Sequence, residues 1–304
     1  MFGKRHIALN FYRQSEQRQT VPRNKQEAKI IVFASQKGGT GKTTTAQTLA
    51  VCFTMFHGQR VLGVDLDPQG CFGAGLLSEL PHTPKTADRL LIVPRADVSE
   101  YIMPVRPRLD LIPNHFRSNM REALESTPLS YDLLRRRLQP ILPRYDYIIV
   151  DTPAGLSRST QFGLDAADQV ILVLSCGKYA LQGAANMLDW LTAHSQERRQ
   201  LMPDVKVILN NFDERRCFDR DFKKELEYIF GDDLMRSHIR PSVKIVEAAA
   251  QGITIMEKDE KNACVKEFKQ LSCELLGLSP DAAITPLPKQ SAARPMPTTL
   301  RLVS

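Results

Sequence analysis

The stretch Ser35-Gln36-Lys37-Gly38-Gly39-Thr40-Gly41-Lys42-Thr43-Thr44-Thr45 decides how this chain folds. A short β-branched run, Ile30-Ile31-Val32-Phe33-Ala34, precedes it, and a predicted helix over residues 43–57 follows it. Glycines between a strand and a helix let backbone N–H groups turn inward around a phosphate, and the helix N-terminus adds its dipole. The stretch therefore predicts a phosphate-binding loop. It departs from the strict pattern G-x-x-x-x-G-K-[ST], because Gln36 replaces the first glycine and Lys37 adds a second lysine.

Further apolar runs extend the pattern of a strand followed by a helix. Each is short and β-branched and leads into polar or glycine residues and then a helical segment. Continuous apolar strands separated by helices indicate a parallel sheet that is covered on both faces. We therefore predict an α/β fold, a doubly wound and mostly parallel sheet of the P-loop NTPase type, with ligands at the carboxyl ends of the strands. The additional predicted strands are residues 61–64, 147–150, 170–174 and 205–209.

Charge is distributed unevenly along the chain. The 304 residues are 42% hydrophobic and 25% charged, with a formal net charge of +7. Residues 1–29 carry seven Lys/Arg against Glu16 and Glu27, and residues 278–304 carry three against Asp281, so the body between them is formally neutral. Basic arms on a neutral body favour contact with a polyanion, because their charges gain from counterion release on nucleic acid. The alternative is that the arms only keep the protein soluble.

Composition also divides the chain into three parts. Five prolines follow Ser279, which predicts a linker or tail and not a helix. We predict a basic N-terminal arm over residues 1–28, a folded domain over 29–277 and a Pro-rich C-terminal tail over 278–304. No window approaches the roughly 18 apolar residues of a membrane span, and the N-terminus has no apolar signal region. The six cysteines form no C-x-x-C pair and predict reduced thiols in a cytosolic protein.

Several motifs together carry a resemblance to a known family. K-G-G-T-G-K-T-T resembles the signature of the deviant Walker A ATPases of the ParA/MinD superfamily. The resemblance spans about residues 28–276, and it implies that the domain over 29–277 is an ATPase. Further matches occur in the expected order: V-D-L-D-P-Q-G at residues 64–70, I-V-D-T-P-A at 149–154, A-A-D-Q-V at 166–170, Y-A-L-Q-G at 179–183 and V-K-I-V-E-A at 243–248.

Residue chemistry predicts part of the nucleotide site without the family. Lys42 can reach the β- and γ-phosphates of ATP, and the Thr43 hydroxyl can hold Mg²⁺. Asp65 and Asp151 end predicted strands beside the loop, where carboxylates can hold waters on Mg²⁺. The cofactor-binding residues predicted from the loop itself are Gly38, Gly39, Thr40, Gly41, Lys42, Thr43 and Thr44, and the resemblance adds Lys37 and Asn210.

The resemblance implies further roles within the same site. Asp67 positions the attacking water, and Lys37 contacts phosphates across a dimer interface, so that Lys37, Lys42 and Asp67 are the expected catalytic residues. A cation at the transferring phosphoryl group stabilises charge as an arginine finger does. Asn210 lies where the family contacts adenine, and a plain turn residue is the alternative there. Cys71 stands where the family has a small polar residue.

The superfamily divides by what its dimer binds. MinD-like members use a C-terminal amphipathic helix on the membrane, which the prolines within residues 295–304 prevent. An Fe–S carrier needs a C-x-x-C pair, which this sequence lacks. An operator-reading ParA needs a large domain before the loop, and the residues before Ser35 are too few for one. The shorter ParA type remains. It implies an ATP-dependent homodimer that binds duplex DNA without sequence preference. It also implies a cytoplasmic protein that does not insert into membranes and that lies on the nucleoid in its ATP state.

The expected function is segregation or positioning of DNA or another large cargo, with hydrolysis stimulated by a ParB-like or other adaptor. The alternative is a regulatory switch on a membrane or assembly partner without DNA. Acidic residues lie among the candidate DNA contacts, so a solvated face of mixed charge is the alternative there. For Arg135-Arg136-Arg137, which lie in a predicted helical stretch, we predict a solvated face. Two i, i+3 pairs, 258/261 and 266/269, are predicted to be neighbours on helix surfaces. The candidate DNA contacts are Arg240, Lys244, Lys258, Lys261, Lys266 and Lys269.

Overall fold

A computed structural model describes residues 27–77, 83–115 and 120–279. The predicted Pro-rich tail beyond residue 279 and the predicted arm before residue 27 lie outside the described residues. Within these described residues, seven strands form one sheet in the order β3-β4-β2-β5-β1-β6-β7. The strands are β1 Lys29–Ala34, β2 Val61–Asp65, β3 Met103–Arg106, β4 Leu109–Ile112, β5 Tyr147–Asp151, β6 Gln169–Ser175 and β7 Asp204–Asn210.

Helices connect the strands and cover the sheet, with short 3₁₀ turns at residues 98–101, 139–144 and 231–233. No described helix is long and apolar enough to cross a membrane. In chain order the helices are α1 Lys42–His57, α2 Cys71–Ala74, α3 Ala87–Ile92, α4 Met120–Ser126, α5 Leu133–Leu138, α6 Arg158–Ala166, α7 Ala180–Arg198, α8 Cys217–Phe230, α9 Val243–Ala249, α10 Ile255–Lys258 and α11 Ala263–Leu276.

The predicted doubly wound α/β architecture is confirmed. The five predicted strands pair in parallel. Successive side chains of β1 point to opposite faces of the sheet, and helices cover both faces. Ile30 and Val32 pack into the core beneath α3, α5, α6 and α7, whereas Ile31 and Phe33 pack into the core beneath α1 and α11. Continuous apolar strands are what such a two-sided core requires.

The hairpin of β3 and β4 at the sheet edge was not predicted. β4 extends the parallel sheet beside β2, and β3 pairs with β4 in antiparallel orientation. β3 is only four residues long, is partly exposed and contains Pro104, which removes a ladder donor and is tolerated at an edge. Sequence periodicity is weak in such a short edge strand.

Two predictions about basic residues are wrong. Lys258 ends α10 and Ala263 begins α11, so Lys258 and Lys261 do not share a helix. The arginines of α5 are not one solvated face, because only Arg136 is largely exposed. Arg135 donates to the Ala166 carbonyl and the Asp168 carboxylate, and Arg137 donates to the Val93 carbonyl. Their donors therefore bind neighbouring segments of the domain.

Candidate nucleotide site

The loop between β1 and α1 is shaped by two glycines in left-handed conformation. Gly39 has φ 78° and Gly41 has φ 80°, values that favour glycine. A Cβ at Gly41 would also overlap the side-chain amide of Asn210. That amide donates to the Thr40 carbonyl with an N–O distance of 2.6 Å. Asn210 thus connects the end of β7 to the loop by a hydrogen bond and helps to position the loop. Sequence reasoning missed this role.

A cavity of about 440 Å³ opens in front of the loop. Its volume lies within the range typical of small-molecule sites. The structure places all eight loop residues from Lys37 to Thr44 on its wall, together with Asp67, Cys71 and Ala249. The Thr40 hydroxyl is buried and has no hydrogen-bond partner among the described residues, so it is available to a ligand in the cavity.

Lys42 lies at the buried base of this cavity. Its Nζ is 2.7 Å from Oδ1 of Asp151, and the Thr43 hydroxyl donates to the other oxygen, Oδ2, over 2.7 Å. Lys42 is 6% exposed and Asp151 is fully buried. Burial raises the pKa of Asp151, and the Lys42 ammonium opposes that rise. The loop lysine, the loop threonine and the carboxylate at the end of β5 therefore form one hydrogen-bonded group.

Asp65 lies beside Asp151, because the ends of β2 and β5 are paired in register. Its two oxygens accept hydrogen bonds from the backbone N–H groups of Asp67, Phe72 and Gly73. Burial raises the pKa of the Asp65 carboxyl well above its usual range, and the nearby Asp151 carboxylate raises it further. This geometry makes Asp65 a positioning residue for the segment that carries Asp67.

Two of the expected catalytic side chains lie closer to solvent. Lys37 is exposed and forms no ion pair within the described residues. Asp67 lines the cavity, is partly exposed, and accepts a hydrogen bond from the Gln69 N–H through Oδ1. Both charges therefore remain available at the open side of the cavity.

The cavity fits a nucleotide with Mg²⁺. A side chain added at Gly38 or Gly39 would meet nothing within 4 Å, so the space before the loop is open to phosphates. Thr43 and Asp151 supply the hard oxygen ligands that Mg²⁺ prefers. When bound, Mg²⁺ would neutralise negative charge on the phosphates.

The comparisons with known proteins agree with this geometry. An AAA domain family matches residues 28–204. Soj, the sporulation initiation inhibitor protein of Bacillus subtilis, is 31% identical over 249 residues, covering 81% of this chain and 98% of Soj. The chain belongs to the ParA/MinD superfamily. The chromosome partitioning protein ParA of Myxococcus xanthus is 31% identical over 82% of this chain and 88% of the relative, which supports the partition branch of that superfamily.

Solved structures of the superfamily share the fold. Apo McdA from Cyanothece superposes with a TM-score of 0.72 at 23% identity, covering 82% of this chain and all of McdA. A plasmid partition protein from Borrelia burgdorferi, bound to AMPPNP, gives a TM-score of 0.69 at 23% identity, covering 83% of this chain and all of that protein. These structures confirm the P-loop NTPase architecture.

Gly183 of the superfamily motif Y-A-L-Q-G lies close to Gln36, the residue before Lys37 of the loop. A Cβ on Gly183, in the first turn of α7, would overlap Cβ of Gln36. We expect Gly183→Ala to displace the loop and to weaken nucleotide binding about tenfold in a calorimetric titration. Gly177→Ala is the control, because its Cβ would make only an ordinary contact with the Ser175 carbonyl. Equal affinity in both variants would contradict this role for Gly183.

The motif A-A-D-Q-V instead lies at the amino ends of β1 and β6, opposite the cavity, and stabilises the sheet there. Asp168 precedes β6 and accepts a hydrogen bond from the Ile30 N–H over 2.8 Å. Arg135 contacts its second oxygen at 3.0 Å. The sequence match is thus explained by folding and not by nucleotide chemistry.

Cys71 offers a direct probe of the cavity. It is exposed and lines the cavity wall, whereas Cys217 is exposed elsewhere. We expect ATP with Mg²⁺ to slow maleimide labelling of Cys71 at least about tenfold and to leave Cys217 unchanged, as mass spectrometry of the labelled peptides would show. Partial desolvation of the Cys71 thiol in the cavity wall, and then the nearby carboxylates of Asp65 and Asp67, raise its pKa, so its labelling should accelerate as the pH rises above neutrality. Undiminished labelling of Cys71 with ATP would place the nucleotide elsewhere.

Proposed function

We propose that this ParA family ATPase closes into a homodimer on ATP, binds duplex DNA without sequence preference, and positions DNA or another large cargo. Hydrolysis is stimulated by a ParB-like or other adaptor and releases the dimer. The single observation that supports this cycle best is the different environment of the two loop lysines. Lys42 is buried against Asp151, whereas Lys37 is exposed at the mouth of the same cavity. An exposed cation there is available to the nucleotide of a second copy.

In this proposal each residue of the site has a distinct task. Lys42 leaves Asp151 and contacts the β- and γ-phosphates, while Thr43 and Asp151 hold Mg²⁺. Asp67 orients the attacking water from the open side of the cavity. Lys37 stabilises the charge that develops on the partner's phosphoryl group. Asn210 keeps the loop in place through Thr40, and it can contact the base only after this hydrogen bond is exchanged.

The DNA contacts require a selection among the six candidates. Arg240 pairs with Glu267, and Lys244 and Lys258 both pair with Glu247. Lys269 lies 4.0 Å from both Glu260 and the centre of the Phe56 ring. A cation that is already paired gains less from a phosphate, because it must first leave its carboxylate.

Lys261 and Lys266 are exposed and form no ion pair within the described residues. They are therefore the principal DNA contacts in this proposal, and the four paired cations add a weaker general attraction. Dimerisation doubles the number of such contacts on one body. In the cell the ATP state is expected on the nucleoid and the released monomer in the cytoplasm.

The test is binding to random-sequence duplex DNA over a salt series, with ATP or ADP. The ATP-bound dimer should show about twice the salt slope of the monomer, because log K falls by about 0.9 per log salt for each phosphate neutralised. Lys261→Glu/Lys266→Glu should weaken ATP-dependent binding about tenfold or more without affecting dimerisation. Arg136→Glu/Lys224→Glu is a control with the same charge change, because both residues are exposed away from α11.

Absence of ATP-dependent DNA binding would exclude the DNA proposal. A regulatory switch on a membrane or assembly partner would then take its place. That alternative retains the dimer and the ATPase, so a light-scattering measurement of ATP-dependent dimerisation distinguishes it from a failed nucleotide cycle.

A further inference from the structure

One side of the nucleotide cavity is formed by a short stretch of chain that follows β2. This stretch, residues 67–75, is called the wall segment below, and it leads through a turn into α2. Asp67 at its start and Gly75 at its end both line the cavity. The Gly70 N–H closes the turn by donating to the Asp67 carbonyl over 2.9 Å. The direction of Asp67 is therefore tied to the position of α2.

Helix α2 depends on its neighbours for its position. It has only four residues, whereas isolated helices shorter than about 12 residues are marginal in water. The buried Asp65 carboxylate supplies one contact, because it accepts hydrogen bonds from the Phe72 and Gly73 N–H groups. That contact holds the N–H groups of α2 and leaves its carbonyl groups to another partner.

Gln47 of α1 is that partner. Its side-chain Nε2 donates to the Cys71 carbonyl over 2.6 Å and to the Phe72 carbonyl over 2.9 Å. Gln47 is only 3% exposed, and it lines the cavity beside the wall segment. A buried carbonyl that loses its partner costs free energy, so these two hydrogen bonds hold α2 against α1.

Helix α1 also connects Gln47 to the phosphate-binding end of the site. Gln47 lies four residues after Thr43, so the two side chains are neighbours on one face of the helix. The Thr43 hydroxyl donates to Asp151 in the hydrogen-bonded group that includes Lys42. About one turn of helix therefore separates the predicted Mg²⁺ ligand from the residue that holds the wall segment.

The wall segment fits closely around the Gln47 amide. A Cβ added at Gly75 would overlap this amide. Gly75 has φ −84°, a value that other residues adopt readily, so the absence of a side chain matters here for space and not for backbone conformation. A larger residue at position 75 would push the Gln47 amide away from the carbonyls that it binds.

We propose that Gln47 is a positioning residue for ATP hydrolysis, whose amide holds the wall segment against α1 and thereby sets the direction of Asp67 in the cavity. The inference rests on the proposed role of Asp67 in orienting the attacking water, and it adds how Asp67 is placed relative to the phosphates. Gln47 acts through the wall segment and not on the nucleotide. A displacement of about 1 Å at reacting groups can reduce a rate about 100-fold.

The first test is Gln47→Met, which keeps a long side chain and removes the amide. We expect kcat to fall about tenfold or more while KM for ATP with Mg²⁺ changes by less than about threefold. Calorimetric titration counts the nucleotide-binding sites, so that a loss of folded protein is not mistaken for a loss of kcat. Thr48→Val is the matched control and should change neither constant. Thr48 is buried in the same helix, but its hydroxyl donates to the Thr44 carbonyl and not to the wall segment.

Gly75→Ala tests the same contact from the other side. Its Cβ displaces the Gln47 amide, so kcat should fall about fivefold or more in the unaltered background. In the Gln47→Met background it should fall less than about twofold, because no amide hydrogen bonds remain to be broken. Residues that act through one contact are non-additive in this way. Losses that multiply in the double variant would show separate effects and overturn the inference.

Maleimide labelling of Cys71 follows the wall segment without catalysis. Cys71 is exposed and begins α2. In nucleotide-free protein, Gln47→Met should accelerate this labelling at least about threefold, and Thr48→Val should leave it unchanged. A lower kcat with unchanged labelling would overturn the inference, because the wall segment would not have moved.

An unchanged kcat in Gln47→Met overturns the inference whether or not labelling changes. Asp67→Ala, measured beside it, then shows how far the failure extends. Loss of hydrolysis in Asp67→Ala alone means that only the positioning role of Gln47 has failed. Full hydrolysis in both variants means that the proposed role of Asp67 has failed with it.

Discussion

Lys42→Ala is expected to abolish ATP binding, with affinity falling at least about 100-fold, or about 2.8 kcal/mol. Lys42 is the buried cation at the base of the cavity, directly before the loop threonine. A water molecule in this buried site cannot replace a charge-assisted hydrogen bond to a phosphate without a loss of binding free energy. Isothermal titration calorimetry with ATP and Mg²⁺ measures the loss. Affinity equal to that of the unaltered protein would contradict the assignment of the site.

The same substitution should also lower stability, and the control must separate the two effects. Removing Lys42 leaves Asp151 buried without its cation and beside Asp65, a change that typically costs about 3–5 kcal/mol. Lys42→Ala/Asp151→Asn removes that buried charge and should recover much of the thermal stability while ATP binding stays lost. Recovery of ATP binding in the double variant would show that the single variant had failed only by unfolding.

Asp67→Ala is expected to give the second large effect, a fall of at least about 100-fold in hydrolysis with ATP binding retained. Asp67 lines the cavity but takes no part in the hydrogen-bonded group of Lys42, Thr43 and Asp151. Its removal should therefore leave the phosphate and Mg²⁺ ligands in place and leave the water unoriented. Light scattering with ATP should show a dimer that persists, because the step that releases it is blocked.

Asp67→Asn is the matched control for this variant. It keeps an oxygen that can accept the Gln69 N–H, so it preserves the local turn and removes only the charge. Both variants should persist as dimers if the charge orients the water. Hydrolysis at the unaltered rate in either one would remove Asp67 from the catalytic role.

Sequence reasoning predicted the parts of the site that depend on short-range spacing. The loop, the helix after it and the acidic ends of β2 and β5 follow from local glycine, lysine and β-branched patterns. The task of Asp65 could not be predicted in the same way. Its oxygens accept N–H groups up to eight residues away, and that depends on how the segment 66–73 turns back. Sequence spacing alone does not distinguish the role of Asp65 from that of Asp67.

Two other features of the structure were not predicted. Gly183 is close to Gln36 only because α7 begins beside the loop, although 146 residues lie between them in the printed sequence. The break between α10 and α11 had a local signal, since Asn262 caps α11 by accepting the Cys264 N–H. The charge pattern across residues 258–269 obscured it.

The pairing of Asp65 with Asp151 has a consequence for how charge is balanced when a nucleotide arrives. The Lys42 ammonium forms an ion pair with Asp151, and it cannot keep this ion pair and contact the phosphates to the same extent. When Lys42 leaves Asp151 in the proposed cycle, two buried carboxylates stand side by side, and burial raises the pKa of both. Either a divalent cation or a proton must then compensate them. Binding in chelator should therefore take up a proton and weaken as the pH rises, whereas binding with Mg²⁺ should be nearly indifferent to pH.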